Sequence, residues 1–264
     1  MAPVVLCDLD GVVWLAGVGL PGAAEAVVRL RDAGLAVGFL TNNSSLTVDE
    51  YLGALERIGI PAGPEDLLSS AMAAAAVLAG DLPAGAKVLA CAGPGVVEAL
   101  EAHGFEVVSE GPCEAVVVGW HRDFDFPRLA RAAAALRAGA RFVATNLDPT
   151  YPGPDGLLPG NGSLVAAVAT ASGRTPEVAG KPEPPTVALV RHRYGNHGVM
   201  VGDRPSTDGA LATALGWPFA LVISDATVSS DEPADPGAQW VADSLADLVD
   251  PLAAALAPGG PPQR

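Results

Sequence analysis

Two acidic side chains follow the first apolar run of the chain. Asp8 and Asp10, in the segment Asp8-Leu9-Asp10-Gly11, come at the end of Val4–Leu9, which has the composition of a buried strand. Residues two apart in an extended chain point to the same side, and two ionised carboxylates at short range favour a cation between them. Oxygen ligands suit a hard divalent ion, and Mg²⁺ is the most available. The pattern therefore predicts a Mg²⁺ site or, as the simpler alternative, an Asp-Gly turn with solvated acids.

Three further polar motifs lie at junctions between predicted strands and loops. Thr41-Asn42-Asn43-Ser44 offers hydroxyl, amide and backbone N–H groups to an anion such as phosphate, although an ordinary helix N-cap would explain it too. Lys181 lies in a proline-rich loop, where a lone lysine is usually solvated. Asp203 and Asp208 follow a late strand, which an acidic turn and an N-cap would also explain. The order acid pair, hydroxyl-amide, lysine, acid pair favours one phosphate-handling site over coincident turns.

The elements that must position these side chains follow an alternating pattern. Short apolar runs alternate with Ala-rich amphipathic stretches, which predicts βαβ units, a largely parallel sheet and the α/β class. Ligands of such sheets bind outside the carboxyl ends of the strands, where the motifs lie. The predicted strands are Val4–Leu9, Ala36–Leu40, Lys87–Ala92, Ala115–Gly119, Arg141–Thr145, Gly198–Val201 and Phe219–Val222. The predicted helices are Gly22–Ala33, Thr47–Ile58, residues 71–79, Gly95–His103, Pro127–Ala138, Thr186–Tyr194, Asp208–Leu215 and Ser244–Leu256. Pro and Gly clusters at Asp81–Gly85, Pro152–Gly162 and Gly180–Pro185 indicate linkers or hinge turns.

Length and composition exclude several classes of protein. The 264 residues suffice for one large or two moderate domains. A formal net charge of −15 repels nucleic acid and anionic lipid. No apolar run reaches the roughly 18 residues of a membrane span, and early acids interrupt any signal-peptide core, so we expect a cytoplasmic protein. Cys7, Cys91 and Cys113 form no CxxC pair, which predicts buried reduced thiols rather than a disulfide or a zinc site.

Taken in order, the motifs resemble those of the haloacid dehalogenase-like (HAD) phosphatases, and most closely those of the NagD-like branch. The segments that carry the resemblance are Asp8–Trp14, Pro21–Ala23, Thr41–Ser45, Thr145–Asp148, Gly180–Pro184, Gly202–Arg204 and Thr207-Asp208. The resemblance implies a Rossmann-like core with a parallel sheet and an inserted α/β cap of the C2 type between Thr41 and Lys181. We therefore expect the core at residues 1–80 and 181–264 and the cap at residues 81–180.

The same resemblance implies a Mg²⁺-dependent phosphatase that hydrolyses a phosphate monoester of a small metabolite, such as a sugar phosphate, a nucleotide or phosphoglycolate, through an aspartyl-phosphate. No nucleic acid or membrane partner is expected, and self-association into a homo-oligomer is left open. The implied site residues are Asp8 as nucleophile; Asp10 as general acid and base; Asp8, the Asp10 carbonyl and Asp203 as metal ligands; Thr41, Asn42, Asn43 and Lys181 as phosphate ligands; and Asp208 as a positioning group for Lys181 or a metal-bound water.

Two non-enzymatic functions compete with this interpretation. A phospho-aspartate switch resembling a receiver domain also uses strand-end aspartates, a hydroxyl and a lysine, but it is a much shorter module and needs no acid at Asp10. A phosphometabolite-binding protein of the same fold would be expected to lack part of the chemical set, which is complete here. Leu147, where the branch usually has proline, and Ser224–Thr227, where it usually has Gly-Val, leave substrate identity open. His121 could contact substrate from the cap, although an exposed loop histidine is the simpler interpretation.

Overall fold

The chain folds into two compact units. The computed structural model describes residues 2–15, 17–153, 156–223 and 237–257. The first unit contains Met1–Thr41, Tyr51–Leu68 and Val187–Arg264, and the second contains Asn42–Glu50 and Ser69–Thr186. The second unit extends beyond the expected cap, residues 81–180, at both ends. The expected assignment of core and inserted cap stays a prediction.

Strands and helices alternate along most of the chain. The strands are β1 (Val4–Asp8), β2 (Trp14–Leu15), β3 (Val18–Gly19), β4 (Ala36–Thr41), β5 (Leu67–Ser69), β6 (Lys87–Cys91), β7 (Glu106–Val108), β8 (Ala115–Val118), β9 (Arg141–Ala144), β10 (Thr150–Gly153), β11 (Gly156–Pro159), β12 (Glu177–Val178), β13 (Gly198–Gly202), β14 (Phe219–Val222) and β15 (Trp240–Ala242). The α-helices are α1 (Ala23–Asp32), α2 (Val48–Arg57), α3 (Ser70–Asp81), α4 (Pro94–Ala102), α5 (Phe126–Arg137), α6 (Asn161–Ser172), α7 (Pro184–Tyr194), α8 (Ala210–Leu215) and α9 (Leu245–Leu256). A 3₁₀ helix at Pro64–Asp66 and a π-helical turn at Pro205–Gly209 complete the described elements.

The first unit is built around a sheet whose described strands have the order β15-β14-β13-β1-β4-β5. The pairs from β15 to β4 are all parallel. Every residue of β1 and β13 is buried, as expected for central strands of a parallel sheet with helices on both faces. Helix α9 packs on α1, β13 and β15, and α1 also packs on β4. The carboxyl ends of β1, β4 and β13 consequently lie at one edge of the sheet.

The second unit has its own sheet, in which the described strands have the order β12-β9-β8-β6-β7 and all pair in parallel. Helices α5 and α6 pack against each other and against β8, and α4 packs against α3, β6 and β7. The core of this unit includes Val116, Val118, Leu136 and Val168, which are fully buried. Two parallel sheets with packed helices confirm the predicted α/β class.

Several sequence predictions need correction. Pro152–Gly162 is not a linker, because β10 and β11 form an antiparallel hairpin there and α6 begins at Asn161. Helix α6 and the short strands β5, β7, β12 and β15 were absent from the predicted pattern. Segment Ser224–Thr227 lies outside the described residues. Within the described ranges, no helix is long and apolar enough to cross a membrane.

Candidate active site

Three carboxylates meet at the carboxyl-terminal edge of the first unit's sheet. Asp8 ends β1, and Asp203 follows the neighbouring strand β13, in which Val201 pairs with Cys7. One oxygen from each of Asp8, Asp203 and Asp208 lies within 4.8 Å of the others. The three residues are 8%, 9% and 0% exposed, respectively. A buried set of three carboxylate oxygens has the chemistry of a site for a hard divalent cation such as Mg²⁺.

A π-helical turn, Pro205–Gly209, brings Asp208 into this carboxylate cluster. The backbone N–H of Arg204 donates to Asp208 Oδ2 at 3.2 Å. A Cβ at Gly202 would overlap the Cβ and the carboxyl carbon of Asp208, so the end of β13 requires glycine for this approach. Asp208 was expected to be a positioning group, and the structure places its carboxylate among the candidate metal ligands.

Asp10 follows the end of β1 by two residues, and Thr41 is the last residue of β4. Asp10 is half-buried and forms an isolated β-bridge with Trp14, and the N–H of Gly11 donates to the Trp14 carbonyl at 2.7 Å. Thr41 ends β4 and is buried. Because Asp8 pairs with Leu40 in the β1–β4 register, Thr41 lies at the same sheet edge as Asp8.

Asn42 and Lys181 are joined directly within the second unit. The side-chain oxygen Oδ1 of Asn42 accepts the backbone N–H of Lys181 at 2.8 Å, and Asn42 Nδ2 donates to the Lys181 carbonyl at 3.3 Å. Both residues are at least nine-tenths buried, with 9% and 5% exposure. Two motifs 139 residues apart in the chain are therefore held together by one side chain.

Two donors also hold the backbone carbonyl oxygen of Asn42. Ser70 Oγ donates to this oxygen at 2.5 Å, and Asn146 Nδ2 donates to it at 2.6 Å. Asn146 Oδ1 accepts the backbone N–H of Asp148 at 3.1 Å, and Asp148 Oδ2 accepts from Asn42 Nδ2 at 3.2 Å. We call Asn42, Ser70, Asn146 and Asp148 the Asn42 bracket. The segment Thr145–Asp148, recognised in the sequence only as a family motif, thus packs against the hydroxyl-amide motif.

A further buried asparagine supports the bracket. Asn161 Nδ2 donates to the carbonyl of Asn146 at 2.8 Å and to Thr145 Oγ1 at 3.2 Å. Thr145 Oγ1 lies 3.0 Å from Ser44 Oγ. Sequence reasoning missed Ser70 and Asn161 and gave Asn146 no role. The available signal was two polar residues directly after the apolar strand that ends at Ala144.

Asn43 contacts an aromatic pair in the same unit. Its Nδ2 donates to the hydroxyl of Tyr151 at 3.2 Å. The Tyr151 ring lies 4.5 Å from the Trp120 ring, and the indole N–H of Trp120 donates to the Pro159 carbonyl at 2.9 Å. Asn43, expected among the phosphate ligands, therefore also ties the hydroxyl-amide motif to the β10–β11 hairpin.

His121 is buried, and the expectation of an exposed loop histidine was wrong. Only 6% of the residue is exposed. Its Nδ1 lies 2.8 Å from the Gly119 carbonyl, and its ring meets Phe124 edge-on at 5.7 Å. Burial lowers the pKa of His121, opposed by the hydrogen bond to Gly119. The imidazole is consequently neutral near pH 7, with its Nδ1–H directed at a carbonyl.

The cysteines lie outside the predicted chemistry. Cys7 and Cys91 are buried as expected, whereas Cys113 is only partly buried. Burial raises the pKa of Cys7 to about 12 and that of Cys91 to about 11. Both thiols therefore stay protonated at neutral pH and are poor nucleophiles.

Comparison with protein families identifies the class of the chain. Residues 5–106 match the model described as haloacid dehalogenase-like hydrolase, and residues 178–248 match a HAD-hydrolase-like model. The first match includes the candidate site residues Asp8 and Thr41, and the second includes Lys181 and Asp203.

Individual relatives give the same result over most of the chain. The D-glycerol 3-phosphate phosphatase of Mycobacterium tuberculosis is 42% identical over 224 residues, which cover 83% of this chain and 62% of that protein. The chain thus spans less than two thirds of this relative. The dihydroxyacetone phosphatase of Corynebacterium glutamicum is 34% identical over 93% of this chain and 90% of its own length. Among solved structures, the glycerol phosphate phosphatase of M. tuberculosis in complex with magnesium matches with a TM-score of 0.85 and 37% identity, covering 96% of this chain and 79% of that one.

Proposed function

Because the chain belongs to the haloacid dehalogenase-like hydrolases, in their NagD-like branch, we propose that it is a Mg²⁺-dependent phosphatase acting on a small phosphate monoester. The observation that carries this proposal is the approach of Asp8, Asp203 and Asp208 to within 4.8 Å. Each pair of ionised carboxylates at this separation repels by about 3.5 kcal/mol at an effective dielectric constant near 20. A divalent cation offsets that repulsion, and the magnesium complex of a relative supports the choice of metal.

The roles proposed for the acids are those that the resemblance to the haloacid dehalogenase-like phosphatases implies. When bound, Mg²⁺ would offset the repulsion between the nucleophile and the phosphoryl oxygens. Asp8, the Asp10 carbonyl and Asp203 would hold it, and Asp208, whose carboxylate lies in the same cluster, would bind the metal directly or through a water. A carboxylate oxygen of Asp8 would attack phosphorus, and the ester P–O bond would break as an aspartyl-phosphate forms. Asp10 would protonate the leaving alkoxide and then accept a proton from the water that hydrolyses the acyl-phosphate. Phosphate would leave, and both acids would return to their starting states.

The remaining predicted residues would bind the phosphoryl oxygens. Thr41 would contribute its hydroxyl, the segment Asn42-Asn43 its N–H groups, and Lys181 its ammonium group. Such donors, fixed before the reaction, stabilise the charge that develops in the transition state. The burial of Thr41 and Lys181 supports this role, because partly desolvated donors bind an anion more strongly than solvated ones.

The relatives support a three-carbon phosphate as the substrate class. One of them is named a D-glycerol 3-phosphate phosphatase, and another is named a dihydroxyacetone phosphatase. We propose a small polyol or ketose phosphate for this chain, and no nucleic acid partner, in keeping with the net charge of −15. The cytoplasmic location stays a prediction of the sequence.

The test is release of inorganic phosphate from glycerol 3-phosphate, dihydroxyacetone phosphate and a panel of other phosphometabolites. Wild type should be active with Mg²⁺ and inactive with a chelator. Asp8→Asn should keep the fold and fall below a few per cent of wild-type turnover, since an amide of the same shape cannot attack phosphorus. Asp32→Asn, at an exposed position in α1, makes the same charge change and should stay active. Metal-independent turnover, or an active Asp8→Asn variant, would contradict the proposal.

A further inference from the structure

We propose that Ser70 and Asn146 are positioning residues of the phosphate site, which orient the Asn42–Asn43 peptide by holding its carbonyl oxygen. This inference rests on the proposed function, because it concerns the phosphate ligands of that same site. All the contacts that carry it lie within the second unit.

The side-chain amide of Asn42 is occupied by hydrogen bonds within the protein. Its amide nitrogen has two N–H groups, and these donate to the Lys181 carbonyl at 3.3 Å and to Asp148 Oδ2 at 3.2 Å. Its amide oxygen, which could not bind an anion in any case, accepts the N–H of Lys181. The side chain of Asn42 therefore has no donor left for phosphate. Asn42 serves the site through its position in the backbone and by fixing the main chain of Lys181.

The peptide between Asn42 and Asn43 is held by two hydrogen bonds to its carbonyl oxygen. A carbonyl oxygen has two acceptor sites, and here both are used, by Ser70 Oγ at 2.5 Å and by Asn146 Nδ2 at 2.6 Å. In a planar trans peptide the N–H points opposite to the C=O, so fixing the Asn42 carbonyl also fixes the direction of the Asn43 N–H. This N–H belongs to the segment proposed to bind phosphate. The two donors would thus orient a phosphate ligand that neither of them touches.

Both donors to the Asn42 carbonyl are buried. Ser70 and Asn146 are 1% and 3% exposed, so water cannot readily replace either hydrogen bond. Asn146 is itself held, because its carbonyl accepts from Asn161 and its Oδ1 accepts from Asp148. A buried hydrogen-bonded network of this kind favours one geometry. Loss of a single donor should therefore let the Asn42–Asn43 peptide rotate.

Two variants remove the donors by different means. Asn146→Asp keeps an acceptor for the Asp148 N–H but turns an oxygen toward the Asn42 carbonyl. Ser70→Ala simply deletes the other donor and is the smaller change. Ser163→Ala is the matched control, because it removes an exposed hydrogen bond from Ser163 Oγ to the Pro149 carbonyl in a neighbouring segment.

The measurement is the inhibition constant of inorganic phosphate at saturating Mg²⁺, together with KM and kcat for an aryl phosphate and the thermal midpoint. We expect the inhibition constant and KM to rise about tenfold or more in Asn146→Asp, about 1.4 kcal/mol. A rise of about fivefold is expected in Ser70→Ala, and less than twofold in the control. A purely structural role would instead lower the thermal midpoint and kcat together while leaving the inhibition constant unchanged.

Lys181→Ala separates failure of this inference from failure of the proposed function. If Lys181→Ala weakens phosphate binding while Asn146→Asp and Ser70→Ala leave it within twofold of wild type, the positioning role is wrong and the proposed function stands. Phosphate binding without Mg²⁺ is measured directly by isothermal titration, because the chelated enzyme has no turnover to inhibit. If neither Lys181→Ala nor removal of Mg²⁺ affects phosphate binding, the proposed phosphate site is wrong, and the positioning role falls with it. Should Asn146→Asp fail to fold, Ser70→Ala alone decides.

Discussion

Replacing Asp203 by asparagine should raise the stability of the metal-free protein and lower that of the metal-loaded protein. Asp203 contributes one negative charge to a buried cluster with Asp8 and Asp208, whose oxygens lie within 4.8 Å. Removing it abolishes two repulsive pairs of about 3.5 kcal/mol each at full ionisation and an effective dielectric constant near 20. Side-chain relaxation and screening by counter-ions reduce this repulsion, so we expect a gain of about 1–2 kcal/mol, or about 2–8 °C in the thermal midpoint.

The sign should reverse when Mg²⁺ is added. At a concentration 100 times its dissociation constant, Mg²⁺ stabilises wild type by about 2.7 kcal/mol. Loss of a direct ligand should weaken binding by about 100-fold or more, since loss of an outer partner alone costs about 10–100-fold. The stabilisation of Asp203→Asn by the same Mg²⁺ concentration then falls below about 1 kcal/mol. Wild type should therefore be the less stable protein in chelator and the more stable one in Mg²⁺.

The assay is thermal unfolding of wild type, Asp203→Asn and the exposed control Asp32→Asn, each in chelator and in a series of Mg²⁺ concentrations. Isothermal titration of the metal gives the affinities independently. The control should follow wild type in both conditions. Equal Mg²⁺-induced shifts for wild type and Asp203→Asn, or a metal-free variant that is no more stable than wild type, would refute the assignment of this cluster as the metal site.

Three other substitutions test separate parts of the molecule. Asp10→Asn should slow hydrolysis of alkyl phosphates more than that of aryl phosphates, because poor leaving groups need the proton; equal losses on both would argue against an acid role. Gly202→Ala should cost about 1–3 kcal/mol of unfolding free energy by overlap with Asp208, whereas Gly80→Ala, in open space within α3, should be neutral or stabilising in the same urea titrations. Burial raises the pKa of Cys91 from 9.0 to about 11, so its contribution to stability is complete below pH 9 and is lost as the pH rises toward 11. Unfolding free energies at pH 8 and 10.5 should therefore fall less in Cys91→Ala than in wild type; identical slopes would contradict a buried neutral thiol.

The periodicity of the sequence was sufficient to predict most of the elements, because short apolar runs form the central strands of both sheets and amphipathic segments form most of the helices that pack on them. Helix α6 was missed for a physical reason. Gly160 and Gly162 read as turn residues, but a Cβ at either position would collide with the backbone of Leu147 or Asp148. These glycines permit close packing at the start of a helix, and a single sequence does not distinguish that need from a turn. The short edge strand β15, only three residues long, carries too little pattern to be recognised.

The candidate site was predictable to the extent that the chemistry depends on residue type at a strand end. Asp8 and Asp203 follow that rule, and the structure brings them together with Asp208, which lies in the π-helical turn after β13. The contact between Asn42 and Lys181 could not be predicted, because it joins loops that are distant in the chain and depends on side-chain direction. His121 was misjudged because its charged neighbours, Arg122 and Asp123, suggested solvent, whereas its own ring turns toward Gly119 and Phe124.

The Asn42 bracket also limits how this protein can be recombined with its relatives. A chimera that exchanges only residues 81–180 would import Asn146 and Asp148 from one parent while keeping Asn42 and Ser70 from the other. Crossovers after Thr41, Glu50, Leu68 and Thr186 would instead take the segments Asn42–Glu50 and Ser69–Thr186 from the same parent. All four residues of the bracket, together with Lys181, would then come from that parent. Libraries built with these four crossovers should yield a larger fraction of phosphate-binding clones than libraries cut at the ends of the 81–180 segment.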